Sequence, residues 1–198
     1  MFKQFLAIAA IASSILPTGY EAHCRDLEAK LSAHPTALAQ QSDARRRAAD
    51  SLDEIVAWLS QNFDLPASKE HPTIELASSS RLAMMRATDG ALSQNPAGND
   101  LLNGLSQRQV VALYDNKSKT ILLSEDWTGT SPADQSVLVH EMVHHLQNLA
   151  GLKFECPRAR EKMAYLAQAK WLERFDLSLE HEFDVDLFTV VISSACIY

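Results

Sequence analysis

The segment His140-Glu141-Met142-Val143-His144 brings two imidazoles and a carboxylate into one short run. On a helix, a four-residue separation puts both histidines on one face, one turn apart, where a ring nitrogen from each can reach a single tetrahedral cation. Glu141 then lies beside that cation. Two histidines and one carboxylate leave a fourth zinc position for water, whose pKa the cation lowers to about 7. The spacing is chemically sufficient for half a zinc site. At a hydrolytic zinc site a carboxylate so placed can take the proton of a water that attacks a carbonyl and later deliver it to the leaving group, while Zn2+ stabilises the oxyanion. With 7 histidines in 198 residues, random placement yields such a pattern about 0.015 times per sequence, so coincidence is a poor account of it.

The third ligand must come from a segment that turns back across this helix. Glu161 fits: Gly151 ends the first helix, Cys156-Pro157 opens the next, and Glu161 lies one turn into it. Glu155 sits in the intervening loop, with poor reach. Glu173 would stand roughly 18 Å further along the returning helix at 1.5 Å per residue. Tyr165, one turn beyond Glu161, is the candidate hydrogen-bond donor to the oxyanion, with His181 as a second possibility. His145 projects about a third of a turn away from the ligand face and reads as structural or solvent-facing. Glu180-His181-Glu182 resembles a metal cluster, but adjacent residues point apart, which favours a solvated turn.

The elements that position these residues are also legible. Ser131-Pro132-Ala133-Asp134 is a helix start, with a capping hydroxyl, a proline where no amide donor is needed and an acid in the first turn; the helix is expected over 132–150. Before it, 110–114 and 120–123 form a hairpin around the polar turn 115–119, and 73–77 alternates as a strand does. Residues 25–63 suggest two helices interrupted by Pro35, the second opening on the capping box Ser51-Leu52-Asp53-Glu54. Leu82, Met84 and Met85 fit a strand or a helical turn, and the polar stretch 87–104 a long surface loop or lid. Downstream, Ala164, Ala167, Trp171, Leu172 and Phe175 have core spacing on a helix, and 185–197 suggests a terminal core element.

A strand pair, an HExxH helix and a second helix carrying an acid resemble the zincin metallopeptidases. The strings His140-Glu141-Met142-Val143-His144-His145-Leu146-Gln147 and Glu161-Lys162-Met163-Ala164-Tyr165-Leu166-Ala167-Gln168 are similar to small secreted bacterial proteins of the gluzincin type, over about residues 110–175. Metzincins need Gly and His where Gln147 and Ala150 stand, so that branch is rejected. The gluzincin Asp one turn beyond the ligand Glu is replaced by Tyr165, which leaves open what supports the histidines from behind. The resemblance implies a zincin-like single domain, α+β and mostly helical, with a small antiparallel sheet beside the HExxH helix, and a zinc peptidase in which Glu141 is the general base that passes the proton of the attacking water to the leaving amine.

Composition bounds the remaining classes. With 18 Lys plus Arg against 25 Asp plus Glu, the chain carries −7 and is not built to neutralise phosphates; nucleic acid is excluded as a partner, and Arg45-Arg46-Arg47 reads as a solvated helix face. The apolar run 5–16 after Lys3 is too short to span a bilayer and reads as the core of a signal peptide over 1–22, leaving 23–198 as the domain. A periplasmic or secreted protein without stable membrane insertion, acting on a peptide or protein substrate, is expected; the sequence fixes no oligomeric state. In an oxidising compartment Cys24, Cys156 and Cys196 allow three pairings, and Cys156 with Cys196 is expected because Cys24 sits next to a new terminus. The competing reading is an exported module whose HExxH site is inert and whose zinc is structural, which would need a closed fourth ligand.

Overall fold

The computed structural model describes residues 18–91 and 111–196, with side-chain surroundings for 37–87 and 111–196. The chain divides into two compact units, Met1–Ala39 and Gln40–Tyr198. Of the expected leader, 1–17 lie outside the described residues and 18–22 belong to helix α1 (Thr18–Phe63). Pro35 does not split this helix in two, as the sequence had suggested: a proline removes one backbone donor, and the Ala, Leu, Gln and Arg formers around it carry the element through.

In the second unit α1 buries Ala44, Ala48, Leu52, Ile55 and Leu59, a three- and four-residue spacing that makes one apolar face. Strand β1 (Thr73–Ala77), helix α2 (Ser79–Ala91), strand β2 (Ala112–Asp115) and strand β3 (Thr120–Ser124) follow. Leu82 and Met85 are thus helical, and so are positions 87–91 of the expected loop; 92–104 lie outside the described residues.

The sheet is mixed, in the order β1-β3-β2. Its hairpin is antiparallel as expected, with Tyr114 opposite Ile121, but β1 runs parallel to β3, with Ile74 opposite Ile121. The expectation of an antiparallel sheet fails at β1, because its partner is not its neighbour in the chain but β3, reached by a long crossover. Every residue of the central strand β3 is buried. Ile121 and Leu123 enter the main core with α1, while Leu122 faces the other way onto Ala77 and Leu82. This alternation sandwiches the sheet between helices, and each such aliphatic side chain contributes roughly 1.5–3 kcal/mol by burial.

Helix α3 (Pro132–Leu149) is the hub, buried at every residue from Ser136 to Gln147. Its start is clamped twice. Ser131 Oγ accepts from Asp134 N at 3.0 Å, and Asp134 Oδ2 accepts from the amides of Thr128 and Gly129 at 3.1 and 2.9 Å. Gly129, at φ +70°, is required there: a Cβ would stand 2.4 Å from the Trp127 ring. At the other end Gly151, at φ +62°, closes a Schellman turn, its N–H donating to Asn148 O and that of Leu152 to Gln147 O. A 3-10 turn (Pro157–Arg160) leads into α4 (Glu161–Glu173), whose Ala164, Ala167 and Trp171 are buried in the main core.

Glu180-His181-Glu182 is not a turn but part of α5 (Leu179–Phe183), capped by Ser178. In α6 (Leu187–Ser193) Val190 is buried, while Leu187, Phe188, Val191 and Ile192 stay exposed, so the terminal segment is only partly core. Cys156 and Cys196 are joined by a disulfide. Among the described residues no helix is long and apolar enough to cross a membrane.

Candidate metal centre

His140 and His144 project from one face of α3, and Glu161 is the first residue of α4. The Schellman turn and the 3-10 turn reverse the chain so that α4 packs along α3, which brings this carboxylate over the imidazoles. Glu161 Oε2 lies 3.3 Å from His140 Nε2 and 3.2 Å from His144 Nε2. One ligand atom from each of the three residues lies within 4.8 Å of the other two. A tetrahedral cation about 2.0–2.1 Å from each ligand would separate the ligand atoms by roughly 3.3–3.4 Å, so the two Glu161-to-imidazole separations leave room for a metal ion between them. Both histidines are buried, whereas the Glu161 side chain is 38% exposed and gives the cluster its solvent side.

Two glutamines hold the histidines from behind. His140 Nδ1 lies 3.1 Å from Gln168 Oε1, and His144 Nδ1 lies 3.2 Å from Gln147 Oε1. Each amide is itself oriented, since Gln168 Nε2 donates to Ser136 Oγ at 3.3 Å and Gln147 Nε2 to Arg160 O at 3.1 Å. With Nδ1–H donated to the Gln168 oxygen, the His140 ring keeps its Nε2 lone pair for a cation. At His144 the Nδ1 is shared, since Arg160 Nε–H donates to it at 3.2 Å in competition with the Gln147 contact. Sequence reasoning missed these supports; the one signal was a glutamine at each of two helix positions that otherwise read as core.

Glu141 is buried next to the ligands, and burial pushes its carboxyl up to about 7, against the downward pull of His140 and of the Arg86 and Arg160 guanidiniums. Burial also pushes the Glu161 carboxyl up, but the charges and hydrogen bonds of His144 and His140 outweigh it and hold the group well below the ordinary carboxylate range.

The other candidates separate cleanly. Tyr165 stands beside the cluster, its ring edge-on to His140 with centroids 4.6 Å apart. His181 is exposed on α5, with its Nδ1 2.8 Å from Glu182. Glu155 is exposed in the loop. His145 is fully buried and structural, with Nε2 2.8 Å from Glu70 O and Nδ1 3.2 Å from the Tyr114 hydroxyl.

Fold and site together define a helix-centred α+β domain with a buried His-His-Glu group able to bind a metal ion. The chain belongs to the family described as Domain of unknown function (DUF6647), whose model matches residues 43–198. No curated protein and no solved structure matches it.

Proposed function

We propose that this chain is an exported zinc metallopeptidase of zincin type, with His140, His144 and Glu161 holding the cation and Glu141 as general base. The observation that carries the reading is the approach of Glu161 Oε2 to both imidazole Nε2 atoms from the far side of a chain reversal. Two nitrogens and one oxygen are a donor set that suits Zn2+. Among the described residues the group has three members, the number a hydrolytic site uses, whereas an inert structural site needs a fourth. A zinc ion held there polarises the scissile carbonyl and lowers the pKa of a water to about 7.

The chain's own residues do the rest. Glu141, raised towards neutrality by burial, accepts the proton of the attacking water and passes it to the departing amine. Gln168 orients the His140 ring, Gln147 and Arg160 hold that of His144, and Tyr165 offers a hydroxyl for the carbonyl oxygen as charge develops on it. The disulfide supports an oxidising compartment, in keeping with the leader read from 1–22.

The test is metal analysis of the purified protein together with cleavage of casein and a peptide library, with and without chelator. Near-stoichiometric zinc and chelator-sensitive cleavage are expected. Bound zinc without cleavage would leave only the inert module, and absence of metal affinity would overturn the site.

A further inference from the structure

Beyond Tyr165, helix α4 forms one wall of a cavity of about 240 Å³ closed on the other side by α5 and the start of α6. Its walls are Ala169, Leu177, Leu179 and Val185, and Glu173 and Glu180 also line it. The volume is below the 300–1,000 Å³ of sites for whole small ligands and suits a single side chain. Tyr165 joins this region to the metal centre, packing on the Ala169, Leu179 and Val185 cluster while its ring meets His140.

The charge around the cavity is one-sided. Among the described residues the exposed carboxylates of Glu173 and Glu180 have no hydrogen-bond or ion-pair partner, and no Lys or Arg lines the space. Asp186 is different, since its carboxylate is committed to capping Thr189, whose N–H donates to it at 2.8 Å. An aliphatic stem ending in a cation matches such a site, with methylenes against the leucines and the charge between two carboxylates. A second copy of the chain does not match: it carries −7, and the same carboxylates would face each other.

We propose that this cavity takes a lysine or arginine side chain of the peptide substrate, making Glu173 and Glu180 specificity-determining residues; as a substrate subsite this rests on the peptidase reading above. Its register follows from α4. At 1.5 Å per residue Ala169 and Glu173 lie about 12 and 18 Å along the axis from Glu161. An extended peptide advances about 3.3 Å per residue, so the basic residue sits about four to six positions from the cleaved bond.

The experiment uses neutral peptides in which a single lysine is walked along the chain, each with a counterpart carrying glutamate. Cleavage by the wild-type protein is mapped by mass spectrometry, and binding of labelled peptides to the Glu141→Gln protein is followed by fluorescence anisotropy. Cleavage is expected about four to six residues from the lysine. Lysine peptides are expected to bind about three- to tenfold tighter than their glutamate counterparts, the scale of partly exposed charge pairs. Glu173→Gln combined with Glu180→Gln should erase that difference, and Glu125→Gln should leave it. Equal binding of both series, with cleavage indifferent to the lysine, overturns the cavity assignment and leaves the peptidase reading standing. A binding preference with no cleavage of any peptide upholds the cavity and sinks the peptidase reading.

Discussion

Gln168 and His140 are coupled across two helices: the glutamine Oε1 stands 3.1 Å from the histidine Nδ1, and its Nε2 is anchored 3.3 Å from Ser136 Oγ on the same helix as the histidine. This pair does for His140 what a carboxylate does in many zinc sites, fixing ring orientation and tautomer without adding charge. Gln168→Leu is expected to lower zinc affinity about 10–100-fold. Competition against a chromogenic chelator reads the change, and an unaltered affinity would remove Gln168 from the site.

Glu161→Ala should lower zinc affinity by orders of magnitude and abolish cleavage, because it leaves two imidazoles with no carboxylate ligand. Glu155→Ala, in the exposed loop, should do neither. The reverse pattern, measured by the same competition, would reject the ligand assignment.

Glu141→Gln preserves shape and removes the base, so zinc content and thermal stability should be retained while turnover falls by about 10²–10⁴. Retained cleavage at near wild-type rate would rule out Glu141 as the base.

The neighbouring histidine predicts a different phenotype. His145→Ala removes a buried ring that bridges Glu70 O and the Tyr114 hydroxyl, itself hydrogen-bonded by Asn148 Nδ2 at 3.1 Å. A loss of about 2–4 kcal/mol in unfolding free energy is expected from the cavity and the orphaned groups. Chemical denaturation measures it. If His145→Ala unfolds like the wild type, the bridge contributes nothing.

Breaking the disulfide should destabilise the same domain from another direction. Cys156 and Cys196 are 40 residues apart, and closing a ring of that size is worth roughly 4 kcal/mol on the chain-entropy model. Cys156→Ser with Cys196→Ser should lower the denaturant midpoint accordingly, and an unchanged midpoint would show the ring to be idle.

What was legible in the sequence divides along local and non-local lines. The ends of α3 could be read from Ser131, Pro132, Asp134 and Gly151 because capping and left-handed closure are short-range chemistry. Glu161 followed from the same logic, since a chain reversal just after the second histidine leaves few residues able to reach back. The cysteine pairing was anticipated because one of three candidates lay next to the expected cleavage point. The parallel pairing of β1 with β3 was not legible, because register between distant strands is set by packing on both sheet faces. Gln147 and Gln168 stayed hidden for a related reason: an amide inside an apolar helix pattern declares its purpose only once its partner on another turn or helix is known. The terminal segment misled for the opposite reason, its apolar residues having been assigned to the core although α6 turns most of them outward.

The burial of α3 on all sides from Ser136 to Gln147 has a dynamic consequence. Its amide protons have no route to solvent by fraying of that stretch, so they are expected to exchange only when the whole domain opens. His140, Glu141 and His144 therefore ride on the slowest part of the molecule, and breathing on faster timescales falls to the partner that carries Glu161 and to the loop before it. Of the three members of the His-His-Glu group, the carboxylate alone is mounted where the chain can yield.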